Sequence, residues 1–282
     1  MKHPCSNTFH LPFGGKSSWF DCTRCFLPKD HPFRRSKRSF RRSKDEKDDP
    51  PYMYTGEDAW EAIRYYPKVT DIGWQAKLPG YGDTHHWTKR SIFWDLPYWK
   101  NNLLRNNLDV MHIEKNVFDN VFNIVMNVAG KTKDNEKARL DLRGDLEMAP
   151  LPNGKMAKAK PKARYTLTSE EAKLVCKWIK ELKMPDGYAS NLARCVDVTK
   201  GSMHGMKSPD RHVFLECLIP IAFRSLPIEI CKPLTELSRF FKDLCSNTLT
   251  MEDLVKLEQH IPTIICKLKK IFPPGFFDSM EH

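Results

Sequence analysis

The chain of 282 residues lacks any uninterrupted apolar stretch near the ~18 residues that a membrane-spanning helix needs. Its first residues, Met1-Lys2-His3-Pro4-Cys5, lack the apolar run of a secretory signal. The nine cysteines are an odd, scattered set, and Cys176, Cys217, Cys231, Cys245 and Cys266 fall inside helical patterns, where a thiol reads as a small buried apolar group. A disulfide framework is therefore not expected, and a reducing, intracellular setting with no membrane is. Glycine is scarce at 13 residues against 20 prolines, as expected of helices joined by stiff connections. Acidic residues are outnumbered 35 to 46 by lysine and arginine. The resulting charge of +11 favours an anionic partner, nucleic acid before a membrane surface.

What is present is a core: 40% hydrophobic and 11% aromatic residues are enough for one large or two modest domains. The strongest periodic segment begins at Asn107 and ends near Gly130. At helical spacing Val110, Ile113, Val117, Val121, Ile124 and Val128 share a face, widened by Met111, Phe118, Phe122 and Val125. Asp109, His112, Asn116, Asp119, Asn123 and Asn127 form a separate polar stripe. Glu114 departs from this pattern, because it projects into the middle of the apolar sector. A carboxylate there needs a cation, a metal or a hydrogen-bond network, so it reads either as half of a salt bridge or as an active-site group.

Around this helix the chain is punctuated in a readable way. Gly14-Gly15 between two β-prone runs predicts a hairpin within a small, cysteine-containing region at 1–33. Cys22-x-x-Cys25 admits a zinc reading with Cys5, His3, His10 or His31, although one such pair alone is by default two structural thiols. The basic run that follows holds Arg34, Arg35, Lys37, Arg38, Arg41 and Arg42, and is succeeded at once by Asp45, Glu46, Asp48 and Asp49. Guanidinium groups at this density suit phosphate contacts or a nuclear-import signal, and a solvated linker over 34–51 explains them equally well.

A short amphipathic helix is expected from Glu57 to Tyr66, stopped by Pro67. The aromatics between Ile92 and Lys100 read as core in preference to a base-stacking platform. Residues 131–162 lose the order and are the best place for a boundary. Beyond them the pattern is helical. Thr168 and Glu171 match a capping box, Ser208-Pro209 reads as an N-cap with proline at the first helical position, Pro220 should bend its helix, and Pro262 should kink or divide the last one. The apolar run Phe272 to Phe277 close to the final residue gives the expectation of a truncated domain.

Several strings carry a resemblance. Arg90-Ser-Ile-Phe-Trp-Asp-Leu-Pro-Tyr-Trp-Lys100, Asn107-Leu-Asp-Val-Met-His-Ile-Glu-Lys-Asn-Val117, Gly130-Lys-Thr-Lys-Asp134 and Ala138-Arg-Leu-Asp-Leu142 resemble plant CACTA-type (En/Spm) transposases. Gly14 to Cys22 and Phe26 to Arg35 resemble the segment preceding that motif. Pro185 to Cys195, Gly205 to Ser208 and Leu237 to Phe277 resemble the downstream helical domain of unknown function.

The resemblance implies an RNase H-like core in which three carboxylates hold two Mg2+ or Mn2+ ions to cut and join DNA. On it Glu114 would be the last catalytic, metal-holding acidic residue, on a helix packed against a central sheet, with Asp109 its competitor and His112 in support. The family's first two acidic residues belong upstream of this chain's start. Two family motifs are also altered, at Asp21-Cys-Thr-Arg-Cys-Phe-Leu27 and Lys207-Ser-Pro-Asp-Arg-His-Val213, which fits a decaying or repurposed copy.

The expectation is a mainly α protein with a small β-containing N-terminal region: a remnant of an RNase H-like α/β core over 1–145, a basic linker at 146–164 and a truncated helical domain at 165–282. It would be catalytically inactive alone, without its metals, nuclear, and limited to DNA or transposase subunits as partners, with no small-molecule substrate. The alternatives are an active cut-and-paste transposase whose first two carboxylates come from upstream, and a basic helical interaction module without catalysis.

Overall fold

The computed structural model describes residues 9–18, 22–37, 40, 45–50, 52, 55–71, 88–102, 109–141, 147–150, 156–159, 162–185 and 191–277. In order, the elements are β1 (Phe9–Leu11), β2 (Lys16–Ser18), α1 (Pro32–Arg35), α2 (Gly56–Ile63), α3 (Val110–Val125), α4 (Glu136–Asp141), β3 (Glu147–Pro150) and β4 (Met156–Ala159). They continue as α5 (Ser169–Glu181), β5 (Val196–Asp197), β6 (Ser202–Met203), α6 (Ser208–Val213), α7 (Ile219–Ala222), α8 (Ile228–Leu244) and α9 (Met251–Lys269). The protein is mostly helical with few strands. The strands pair only as three antiparallel hairpins, and no larger sheet forms among the described residues.

The chain separates into two compact units, one of Met1–Ser6 with Asp49–Leu108, the other of Asn7–Asp48 with Asp109–His282. This differs from the boundary expected at 146–164, and long-range hydrogen bonds give the reason. Ser18 on β2 donates its hydroxyl to the carbonyls of Pro274 (2.9 Å) and Phe277 (3.3 Å), and the Asp141 carboxylate at the end of α4 accepts the amides of Phe13 (3.2 Å) and Gly14 (3.0 Å). The hairpin β1–β2 and the segment Pro274–Phe277, far apart in the chain, are thus stitched into one body. The hairpin expected at Gly14-Gly15 is present, with Phe9 opposite Ser18 and Gly15 at φ +65°, a left-handed conformation that glycine adopts without strain.

In the smaller unit α2 starts from a capping box in which Thr55 and Asp58 bond each other's backbone, and it buries Ala59 and Ile63. Trp60 stacks on Trp94 at 5.9 Å, and the Arg90 guanidinium lies 5.2 Å from the Trp60 ring. The aromatic run at 92–100 was expected to be core. Instead its two short 3-10 turns, Ile92–Asp95 and Trp99–Asn101, bury none of their residues, and Phe93 stacks on Trp99 at 4.9 Å with about half of its surface in solvent (51%).

In the larger unit α3 packs on α6 and on the π turn Phe214–Leu218 that follows it, so helices take the place of the expected central sheet. Phe118, Phe122 and Phe214 meet at centroid distances of 5.2 to 5.6 Å and are almost wholly buried. Aromatic surface of this size dominates burial energetics, about 3–5 kcal/mol being lost when such a side chain is cut to alanine. The apolar face of α3 begins later than periodicity placed it, since Val110 and Met111 are exposed.

Three prolines behave differently from one another. Pro209 lies inside the first turn of α6, whose N-cap is Lys207 and not Ser208, with the Asp210 carboxylate accepting the Lys207 amide at 2.8 Å. Pro262 does not divide its element, as α9 runs unbroken from Met251 to Lys269. Pro220 disturbs its helix as expected. It cannot donate to the Glu216 carbonyl four residues back, the backbone widens into the π turn, and the Ser238 hydroxyl on α8 supplies the missing bond at 2.9 Å.

Several thiols are enclosed by this core. Burial is the main cause that pushes Cys25 and Cys176 up to about 11 from 9.0, and Cys245 up to about 12. The unfolded chain would release these protons near pH 9 while the folded chain keeps them, so the unfolded state binds fewer protons and stability falls as pH rises from about 9 towards 12. Thermal unfolding followed from pH 8 to 11 should show this decline, and Cys176→Ala should flatten it. A slope untouched by that substitution would remove burial of the thiol as the cause.

Candidate functional site around Glu114

α3 begins at Asp109, whose carboxylate accepts the His112 amide at 3.3 Å as an N-cap. One turn on, Glu114 sits where the sequence placed it, on the buried side, with 1% of its surface exposed. Successive residues of a helix advance by about 100°, so Glu114 lies about 200° around from His112. Asp109 and His112 are both exposed. The structure therefore does not bring the three expected catalytic residues together.

What it does bring to Glu114 comes from far along the chain. His212, near the end of α6, holds Nδ1 2.6 Å from Glu114 Oε2, and its Nε2 faces Glu216 Oε2 at 3.4 Å. Cys245, the residue that closes α8, donates its thiol to Glu114 Oε1 at 3.6 Å. One ligand-type atom from each of Glu114, His212, Glu216 and Cys245 lies within 4.8 Å of the other three. The π turn presents Glu216 to this group, and Arg211, one residue before His212, anchors α6 to α3 through Asp119 at 2.9 Å. His212 and Glu216 stand four residues apart on one face, and that spacing was the available sequence signal. Cys245 gave none, since it reads as one more apolar helix residue.

The electrostatics of the group are strained towards too many acceptors. Burial pushes the Glu216 carboxyl above the usual carboxylate range; His212 pulls it part of the way back, and the Glu114 carboxylate adds to the rise. Glu216 Oε1 is buried with no hydrogen-bond partner among the described residues. Burial first, then Glu114 and Glu216, suppress ionisation of the Cys245 thiol.

This donor set does not fit the pair of Mg2+ or Mn2+ ions that the transposase resemblance implies. Those ions take oxygen ligands, whereas the neighbours of Glu114 are an imidazole, a thiol and a single further carboxylate.

The expected DNA-contacting residues separate as well. Arg34 is buried, 3% exposed, and donates to the carbonyls of Leu27 (2.8 Å), Cys25 (2.6 Å), Asp48 (2.9 Å) and Glu46 (3.3 Å). It is an internal bracket for the segment and presents nothing to phosphate. Arg35 and Lys37 are exposed, Lys37 with Asp45 at 3.8 Å. Arg38, Arg41 and Arg42 lie outside the described residues. Of the zinc ligands considered for Cys22-x-x-Cys25, His31 caps α1 by accepting the Phe33 amide at 3.1 Å, His10 is exposed, and His3, Cys5 and the Cys22 side chain lie outside the described residues.

No helix among the described residues is long and apolar enough to cross a membrane. No curated protein and no solved structure matches the chain. Residues 244–282, which open on the end of α8 and carry Cys245 and α9, match a domain of unknown function (DUF4218) that is found in plant transposase-related proteins.

Proposed function

We propose that this chain is a transposase-derived helical protein of CACTA type that does not cut DNA by itself and keeps contact with nucleic acid through the exposed part of its basic segment. The observation that supports this reading is the enclosure of Glu114. The carboxylate that the resemblance assigns to metal-dependent chemistry is buried, already bonded to His212 and Cys245, and turned away from Asp109 and His112. The sequence strings shared with CACTA transposases and the match over 244–282 support the origin. The charge of +11 and the exposed Arg35 and Lys37 support the nucleic-acid contact and a nuclear location.

A plasmid-nicking assay with the full chain in Mg2+ or Mn2+ should give no cleavage above background. Robust cleavage that Glu114→Gln abolishes would overturn the reading and restore the alternative of an active transposase. For binding, the slope of log affinity against log salt on duplex DNA should decrease by about 0.9 for each phosphate contact removed. Replacing Arg35, Lys37, Arg38, Arg41 and Arg42 with glutamine, while sparing the structural Arg34, tests this. An unchanged slope would return the segment to the status of a solvated linker.

A further inference from the structure

We infer that Glu114, His212, Glu216 and Cys245 form a closed structural site for one zinc-class divalent ion, which ties α3, the π turn and the end of α8 together. The site is independent of the reading of the chain as a transposase derivative.

The geometry carries the assignment. With metal–nitrogen and metal–oxygen bonds of about 2.0–2.1 Å and a metal–sulfur bond of about 2.3 Å, a tetrahedral ion sets its ligand atoms about 3.3–3.6 Å apart. His212 Nε2 to Glu216 Oε2 is 3.4 Å and Cys245 Sγ to Glu114 Oε1 is 3.6 Å, two edges of such a tetrahedron. The remaining short approach, His212 Nδ1 to Glu114 Oε2 at 2.6 Å, is shorter than any edge of such a tetrahedron and opens on binding, as the Glu114 carboxylate turns from the ring to the ion.

The hydrogen-bond inventory points the same way. If His212 donates from Nδ1 to Glu114, the lone pair on Nε2 faces a carboxylate oxygen of Glu216, acceptor against acceptor. Glu216 Oε1 stays buried and unpartnered among the described residues. Among the described residues of the group, two carboxylates, one thiol and one imidazole bring one or two ring hydrogens and one thiol hydrogen to donate. A divalent ion removes the deficit, taking a lone pair from each residue.

The ligand chemistry selects the class of ion. Sulfur with nitrogen and oxygen in fourfold coordination suits zinc and its cobalt surrogate, whereas magnesium and calcium take oxygen alone. On binding, the Cys245 Sγ–H bond gives its proton to solvent and the thiolate pair goes to the ion; any proton held by Glu216 is released likewise. Zinc is neither oxidised nor reduced. The ligands come from segments 98 and 131 residues apart, so the ion restrains long loops of the unfolded chain as well as the native contact. All four positions are filled by protein, leaving no open place for substrate, which marks the site as structural. The His212 side chain is 30% exposed and gives the ion its way in.

The test uses the full chain, reduced, stripped with a chelator and checked for helicity by circular dichroism. Zinc titration followed by gel filtration should leave one ion per chain at this site and raise the unfolding temperature. Cobalt should produce the thiolate-to-metal charge-transfer band and the intense visible bands of fourfold coordination. Cys245→Ser should abolish the charge-transfer band, whereas Cys231→Ser, on α8 outside the group, and the pair Cys22→Ser with Cys25→Ser should keep it.

Glu216→Gln guards against loss of folding. It replaces the half-buried carboxylate, whose Oε1 has no hydrogen-bond partner among the described residues, by a neutral amide of the same shape, so the stripped protein should unfold no earlier than the parent, yet lose the zinc-induced rise. A folded parent chain that retains neither ion overturns the site in favour of a proton-bridged cluster. So does a cobalt band lost with Cys22 and Cys25 but kept in Cys245→Ser, or a full zinc-induced rise in Glu216→Gln.

Discussion

His212→Ala is expected to cost about 1–3 kcal/mol of folding stability, the range found when a buried acceptor is left without its hydrogen-bond partner. The Glu114 carboxylate would keep its place on α3 with 1% of its surface exposed and lose its 2.6 Å contact, while keeping the weak thiol bond of Cys245. The substitution to make beside it is the double one, Glu114→Met with His212→Leu. Two apolar groups of similar volume remove the pair without stranding a charge, so most of the loss should be recovered. Urea unfolding measures both, and chelator in every sample keeps metal binding out of the comparison. A double substitution as damaging as the single one would show that shape, not charge, holds α3 against α6.

The second large effect is expected at Arg34. Its guanidinium bonds the carbonyls of Cys25, Leu27, Glu46 and Asp48, drawing together the short 3-10 helix at Cys22–Phe26, the turn behind it and the acidic segment beyond the basic run. Arg34→Ala would leave buried carbonyls unpaired, at roughly 3 kcal/mol for the set. Arg35→Ala, one residue away and exposed, should change stability by less than about 0.5 kcal/mol while weakening DNA binding. Denaturant curves and a DNA titration on the two variants therefore cross over. Equal destabilisation by both would mean that the internal bracket contributes little.

That pair also shows how far sequence reading reaches. Seven basic residues among the twelve from Phe33 to Lys44 look alike on paper, because composition reports charge and nothing about direction. Only folding turns Arg34 inward, where Cys25, Leu27, Glu46 and Asp48 offer it carbonyl oxygens in place of phosphate. The aromatic run at 92–100 misled for a related reason. Its density implied burial, yet its rings stack on one another and on Trp60 along a surface of short turns.

Local rules did better. The capping box at Thr168 forms with both of its bonds, and the Gly14-Gly15 hairpin pairs, because each depends on neighbours within a few residues. Pro220 was legible as a fault in its helix for the same reason. The consequence of that fault was not legible. The π turn rotates Glu216 towards His212 and exposes a carbonyl that Ser238 must satisfy, and both partners are set by packing.

By itself, then, the sequence determined that α3 is an amphipathic helix with a carboxylate on its buried face and that such a group must have company. Helical periodicity is a local property, and Glu114 breaks it within a single turn. Which company it has was decided only in the tertiary structure, where His212 and Cys245 arrive from 98 and 131 residues away. No pattern of spacing along the chain encodes that meeting, because it follows from how α6 and the π turn pack against α3 and how α8 packs against the π turn, through side chains that each read alone as ordinary helix residues.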